Sequence, residues 1–210
     1  MARKKPHPKA LIIEPLVPSR WKDLVGLFGP RGACGGCWCM TPRLARSEYE
    51  RRKGEGNKRA LKRIVDSGTI AGVLAYAGGE AVGWCAIGPR EAYSMLSRSR
   101  ILKPVDKKPV WSIVCLFIRK DWRRRGVSGT LIEGAVAHAR ACGAKIVEAY
   151  PVEPRKDPMP DVFAYTGIAS VFQEAGFREV ARRSETRPVM RRQIRALRSL
   201  KSGARASEHR

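Results

Sequence analysis

The sequence predicts an α/β fold, and three stretches carry that reading. Residues 111–118, WSIVCLFI, form an apolar run of β-branched and aromatic residues, the pattern of a buried strand. Residues 127–142 place Val127, Leu131, Ala135 and Ala139 on one helical row with Ile132 and Val136 beside it, and Gly143 follows as a C-terminal stop. Residues 70–76 and 80–87 read as two strands joined through Ala77-Gly78-Gly79, a turn with hairpin chemistry.

The other elements follow in order. Residues 11–15 are a short first strand, and residues 20–28 a short helix with Ser19 as its N-cap. Ser47-x-x-Glu50 is a capping box that opens a charged helix. Gly54-Glu55-Gly56 breaks it, and Asn57 caps a second helix over 58–66. Residues 91–108 are a long polar loop with a short helix near 92–96, and long loops in compact domains are often functional. Residues 145–150 are a buried strand, 154–161 a proline-rich loop, 163–175 a helix stopped by Gly176, and 177–182 and 187–190 the last strands.

With 210 residues the chain suffices for one domain, expected over 11–192, between basic tails at 1–10 and 193–210. No apolar run approaches the ~20 residues of a membrane span. The N-terminal MARKKPHPKA has no apolar segment after it, so a secretory signal is not expected and a cytoplasmic location is the default. The net charge of +23 is concentrated towards the ends. Solvated tails explain it, and contact with nucleic acid stays open as a less favoured reading, because no RNA-binding motif accompanies the charge. The chain carries six cysteines. Cys85, Cys115 and Cys142 read as small buried apolar residues. Cys34, Cys37 and Cys39 form C-x-x-C-x-C; three thiols fall short of the four ligands of a structural zinc site, so zinc is a less favoured reading beside packed side chains, a redox pair or reactive thiol stays open, and no metal is required.

The join at 123–129, Arg-Arg-Arg-Gly-Val-Ser-Gly, combines charge, small residues and a helix N-terminus. Unpaired N–H groups at such a terminus donate to an anion, and small residues let backbone approach it closely, which is what a pyrophosphate needs. No G-x-G-x-x-G and no Gly-Lys-Ser/Thr accompany it, so neither a dinucleotide fingerprint nor a P-loop fits.

Arg123-x-x-Gly126-x-Ser128 resembles the acyl-CoA loop of the GNAT superfamily of acetyl-CoA-dependent N-acetyltransferases, written Gln/Arg-x-x-Gly-x-Gly/Ala; Ser128 is a small-for-small departure. A second block, Ala169-Ser-Val-Phe-Gln-Glu-Ala-Gly-Phe177, is similar to that family's A-x-x-L-Y-E-K-x-G-F. The resemblance covers about residues 11–190. It implies a mixed, strongly bent sheet of six or seven strands with helices on both faces and central strands that splay after Ile118 to admit acetyl-CoA. It implies that Leu116, Phe117, Ile118, Arg123, Arg124, Arg125, Gly126, Val127, Ser128, Gly129 and Thr130 hold acetyl-CoA, and that the Leu116 backbone N–H receives the oxyanion. It sets Trp38, Arg90, Glu91 and Tyr93 against an amine acceptor. The family's tyrosine acid is Phe172 here, with no proton to give. Tyr165, two helical turns earlier on the expected helix, is the substitute acid, and Glu148, on the strand bordering the cleft, the base. The implied activity is acetyl transfer to an amine by direct attack on the thioester, in a monomer or homodimer. The alternative is a protein of this fold that binds acyl-CoA or nucleic acid without catalysis.

Overall fold

The computed structural model describes residues 11–154 and 161–194; both expected tails lie outside them, apart from residues 193–194. Strands β1 (Ile12–Pro15), β2 (Gly72–Ala77), β3 (Glu80–Pro89) and β4 (Trp111–Ile118) are consecutive antiparallel neighbours. β5 (Ile146–Ala149) runs parallel to β4. β6 (Arg178–Arg182) and β7 (Pro188–Gln193) complete one seven-stranded sheet in the order β1-β2-β3-β4-β5-β7-β6.

One face of the sheet is covered by α1 (Trp21–Phe28), α3 (Glu55–Asp66) and α4 (Ser94–Arg98), with Trp84, Tyr93 and Tyr150 in that layer of the core. α2 (Arg46–Arg52) joins the same side through Tyr49. The other face is covered by α5 (Val127–Ala141) and α6 (Ala169–Glu174), over Val73, Ile87, Ile113 and Phe172. Helices on both faces of a mixed sheet match the expected architecture.

The central strand carries a bulge. Ala86 pairs with Cys115 but the next residue, Ile87, pairs with Ile113, so Val114 is an extra residue on β4. A bulge interrupts the alternation of faces and bends the strand. Val114 and Cys115 both pack in the first layer, whereas Ile113 and Leu116 pack in the second. Pairing with β5 stops at the same place: Trp111, Ser112 and Ile113 face Val147, Glu148 and Ala149, and no β5 residue pairs beyond. The splay therefore begins after Ile113, five residues before the expected Ile118.

Several local expectations are corrected. Ser19 lies inside a 3-10 turn (Pro18–Arg20) that precedes α1, α2 begins before Ser47, and α3 begins at Glu55 with Gly54 as its N-cap, so none of the three expected side-chain caps forms. Asn57 is instead fully buried within α3 and donates to the Gly36 carbonyl at 3.2 Å. The helix expected over 163–175 is broken by Gly167, at φ +84°, so Tyr165 is not on the helix that carries Phe172. A side chain at Gly167 would lie 2.5 Å from the Phe172 ring.

Two glycines of α5 separate propensity from packing. Glycine to alanine gains up to about 1 kcal/mol in a helix, while overpacking costs about 1–3 kcal/mol. A Cβ at Gly134 would sit 2.4 Å from Ile13, and one at Gly129 would meet nothing within 4 Å. Gly134→Ala is therefore expected to lower the urea midpoint and Gly129→Ala to leave it unchanged or raise it; the same sign for both would show that packing against β1 does not decide.

Candidate active site

The bulge and the splay open a cleft on the edge of β4. An outer cavity of about 520 Å³ is lined by Leu116, Phe117 and Ile118, by Arg123, Arg124 and Ser128, and by Tyr165 across the gap. An inner cavity of about 320 Å³ shares Cys34, Leu116, Phe117 and Tyr165 with it and continues to Cys37, Cys39, Cys115 and Tyr49.

At the outer end, the N-cap of α5 is Gly126, whose φ of +78° and ψ of 0° are left-handed, and Arg124 before it is also left-handed at φ +59°. A Cβ on Gly126 would meet nothing within 4 Å, so the space in front of the helix is open. Thr130 N–H donates to the Gly126 carbonyl at 3.3 Å. The N–H groups of Val127, Ser128 and Gly129 precede it and have no intrahelical acceptor. Arg123 anchors the loop through Nε to the Ile118 carbonyl at 3.1 Å. Two of the expected cofactor side chains turn away. Arg125 lies over the Trp122 ring at 5.3 Å, and Val127 is buried against the sheet beneath Gly83.

The backbone N–H of Leu116, expected to receive an oxyanion, donates to the Tyr165 carbonyl at 2.6 Å. The strand edge freed from β5 is thus met by the segment 161–168. The phenol of Tyr165 lines both cavities, and burial raises its pKa above the ordinary tyrosine range, so it stays protonated near neutrality.

Glu148 is not placed as a base. It has no exposed surface, and its carboxylate is held by Arg90 Nη1 at 2.9 Å and Arg191 Nε at 2.6 Å, with the Tyr150 hydroxyl donating at 2.6 Å. Arg191 also binds Asp106 at 2.7 Å, which holds the Asp106 carboxyl below the usual carboxylate range. Arg90 donates to the carbonyl of Leu102 as well. This ion cluster ties the 99–108 loop to β5 and β7 under the sheet. Arg90 and Tyr93, expected at the acceptor, are both buried, Tyr93 under the Arg43 guanidinium at 4.6 Å. Trp38 is buried too, packed on Trp21 and Phe28 with ring centroids 6.2 and 5.6 Å away. Glu91 is exposed on a 3-10 turn and borders neither cavity. Phe172 is fully buried edge-on to Phe177, so the position of the family's tyrosine acid lies in the core.

The Cys34, Cys37 and Cys39 loop is the wall of the inner cavity. Cys39 Sγ lies 3.3 Å from Cys115 Sγ and accepts from Trp84 Nε1 at 3.0 Å, while Cys37 Sγ points to the Gly32 carbonyl at 3.4 Å. Cys39 as a neighbour, then burial, raise the Cys37 thiol, and Cys115 heads the causes that raise Cys39. Cys34 is exposed. Among the described residues, no three His, Cys, Asp or Glu side chains are arranged to hold a metal ion. Sequence reasoning missed Cys115, Tyr49 and Thr41 as cavity residues, because only the bulge at Val114 turns Cys115 inward and only the chain path brings α2 beside it.

The comparisons agree with this geometry. The family model described as "Acetyltransferase (GNAT) family" matches residues 38–160, more than half of the chain, and the chain belongs to that family. No curated relative matches. Among solved structures, an acetyltransferase of the GNAT family from Listeria monocytogenes 4b F2365 superposes with a TM-score of 0.53 at 8% identity, over 88% of this chain and 95% of that one. An acetyltransferase of the GNAT family from Streptococcus pneumoniae gives 0.51 at 16%, over 88% and 99%. The PaiA N-acetyltransferase from Thermoplasma acidophilum, solved in complex with coenzyme A, gives 0.50 at 12%, over 89% and 100%. At these identities the likeness is one of fold. No helix among the described residues is long and apolar enough to cross a membrane.

Removing one partner of a buried ion cluster costs about 3–5 kcal/mol. Glu148→Ala is expected to lower the unfolding free energy by that amount. A stable, folded Glu148→Ala protein that has lost only turnover would restore the base assignment.

Proposed function

We propose that the protein transfers an acetyl group from acetyl-CoA to the nitrogen of an amine. The observation that carries this is the continuity of the cleft. It runs from the anion-ready start of α5, along the edge of β4 that β5 leaves free, to an inner cavity that can present an acceptor. The coenzyme A complex of the Thermoplasma acidophilum protein supports the choice of donor.

In this reading the N–H groups of Val127, Ser128 and Gly129, with Arg123 and Arg124, hold the pyrophosphate. The thioester lies beside Leu116. Its seat requires the Leu116 N–H to exchange the Tyr165 carbonyl for the carbonyl oxygen of the donor, where the N–H stabilises the developing oxyanion. The acceptor nitrogen attacks the thioester carbon, the carbon–sulfur bond breaks, and the Tyr165 phenol gives its proton to the departing thiolate. Among the described residues, neither cavity is lined by a carboxylate. The acceptor is accordingly taken up as the neutral amine, which apolar walls favour over the ammonium, and its proton leaves through water. The non-catalytic alternative has no specific observation in its favour, because Phe172 is a buried core ring packed on Phe177 and lines neither cavity.

Two measurements test this. Calorimetry is expected to show acetyl-CoA binding near the micromolar range, about 8 kcal/mol, for wild type and none for Gly126→Glu, whose side chain would occupy the open space at the helix start. Absence of binding by wild type would end the donor assignment. Tyr165→Phe is expected to lower kcat by about 10²-fold with acetyl-CoA affinity retained, and to lose the alkaline limb of the rate profile, which for wild type lies above the ordinary tyrosine range. An unchanged kcat would remove the acid role.

A further inference from the structure

We propose that the acceptor is an apolar amine that carries a carboxylate at its far end. The amine and its hydrocarbon body would occupy the inner cavity, and the carboxylate would emerge between α2 and α4 onto Arg46 and Arg98. This rests on the acetyl-transfer reading and adds the class of acceptor.

The inner cavity, about 320 Å³, is at the lower end of small-ligand pockets and has room for a benzyl group with its amine. Its walls are thiols, aromatic rings and small side chains. Cys37 and Cys39 stay neutral, since burial and the neighbouring thiols raise both. A second ammonium placed there would be stripped of water with no carboxylate in the lining to pair with, which is costly.

The inner cavity meets a second one, about 540 Å³, at Thr41 and Tyr49, which line both. Beyond Tyr49 that space is bordered by Arg46, Arg98 and Glu50. Glu50 already faces Lys53 at 3.5 Å. Arg98 donates only to the Ser94 carbonyl, at 3.2 Å, and to the Ser94 hydroxyl, so its charge is not cancelled. Among the described residues neither arginine pairs with a carboxylate. Two guanidiniums against one occupied carboxylate give this mouth a positive balance, and guanidinium–carboxylate bonds are the strong, directional kind. The net charge of +23 adds a field of the same sign, which draws anions and repels dications.

The test uses three acceptors of one shape: 4-(aminomethyl)benzoate, 4-(aminomethyl)benzamide and 1,4-bis(aminomethyl)benzene. CoA release is followed at low and high salt, with acetyl-CoA binding measured on the same protein. The expected order in kcat/KM is benzoate, then amide, then diamine. The benzoate leads the amide by about tenfold or more, the worth of one charge-assisted contact, and the lead shrinks in salt. In Arg46→Gln/Arg98→Gln the ratio of benzoate to amide falls towards one. A diamine that matches or exceeds the benzoate overturns the inference, as does a double variant that keeps the preference, or turnover of none of the three by a protein that binds acetyl-CoA. Failure to bind acetyl-CoA at all would instead sink the acetyl-transfer reading on which the inference rests.

Discussion

Much of this molecule depends on the single extra residue at Val114. One residue inserted into an antiparallel pair cannot be absorbed without a bend, and the bend falls where β4 parts from β5. A strand paired on one side only leaves every second N–H and C=O facing an empty edge, and such groups need partners. The edge is met here by the Tyr165 carbonyl. The insertion also sets which side chains look into the cleft: Leu116 and Ile118 keep to the α5 side, and Cys115 is turned to the wall made by the 29–45 loop.

The buried ion cluster supports the opposite side of the same gap. Glu148 is the penultimate residue of β5, paired with Ser112 on β4, and two guanidiniums hold it, Arg90 from the 3-10 turn after β3 and Arg191 from β7. Buried charges of this kind contribute little net stability relative to an apolar core, yet they leave few alternative arrangements because each partner must find the other. Arg90, Arg191 and Asp106 thereby fix the long 99–108 loop, whose apolar anchors in the core are Leu102 and Val105. The cluster explains why an acidic residue beside a cleft need not belong to its chemistry.

The strands and the central helix were legible in the sequence because their signals are local and redundant. The apolar run ending at Ile118, the 3.6-residue row from Val127 to Ala139 and the paired Gly78-Gly79 turn all reappear within a residue or two. The anion loop was legible for the same reason, since Gly126 and the arginines are contiguous. What failed was anything decided by distant contacts. Trp38, Arg90 and Tyr93 look exposed and chemical in a polar sequence context, but a guanidinium with a buried carboxylate opposite, or an indole with two aromatic neighbours, is drawn inward. The caps failed because a 3-10 turn and a left-handed glycine moved the helix starts by one to three residues. The helix over 163–175 failed at Gly167, where close approach to Phe172 and Leu116 leaves no room for a side chain and the chain turns instead.

The bond between Leu116 and Tyr165 has a thermodynamic corollary. In the proposed reaction one residue would contribute its carbonyl to the seat of the thioester and its side chain to the wall of the inner cavity. Whatever displaces the carbonyl also repositions the ring, so occupancy of the two halves of the cleft cannot be independent. Linkage then requires reciprocity: by whatever factor the donor alters the affinity for the acceptor, the acceptor alters the affinity for the donor by the same factor. A single main-chain hydrogen bond would then set the size of that coupling, which is the same whichever substrate arrives first.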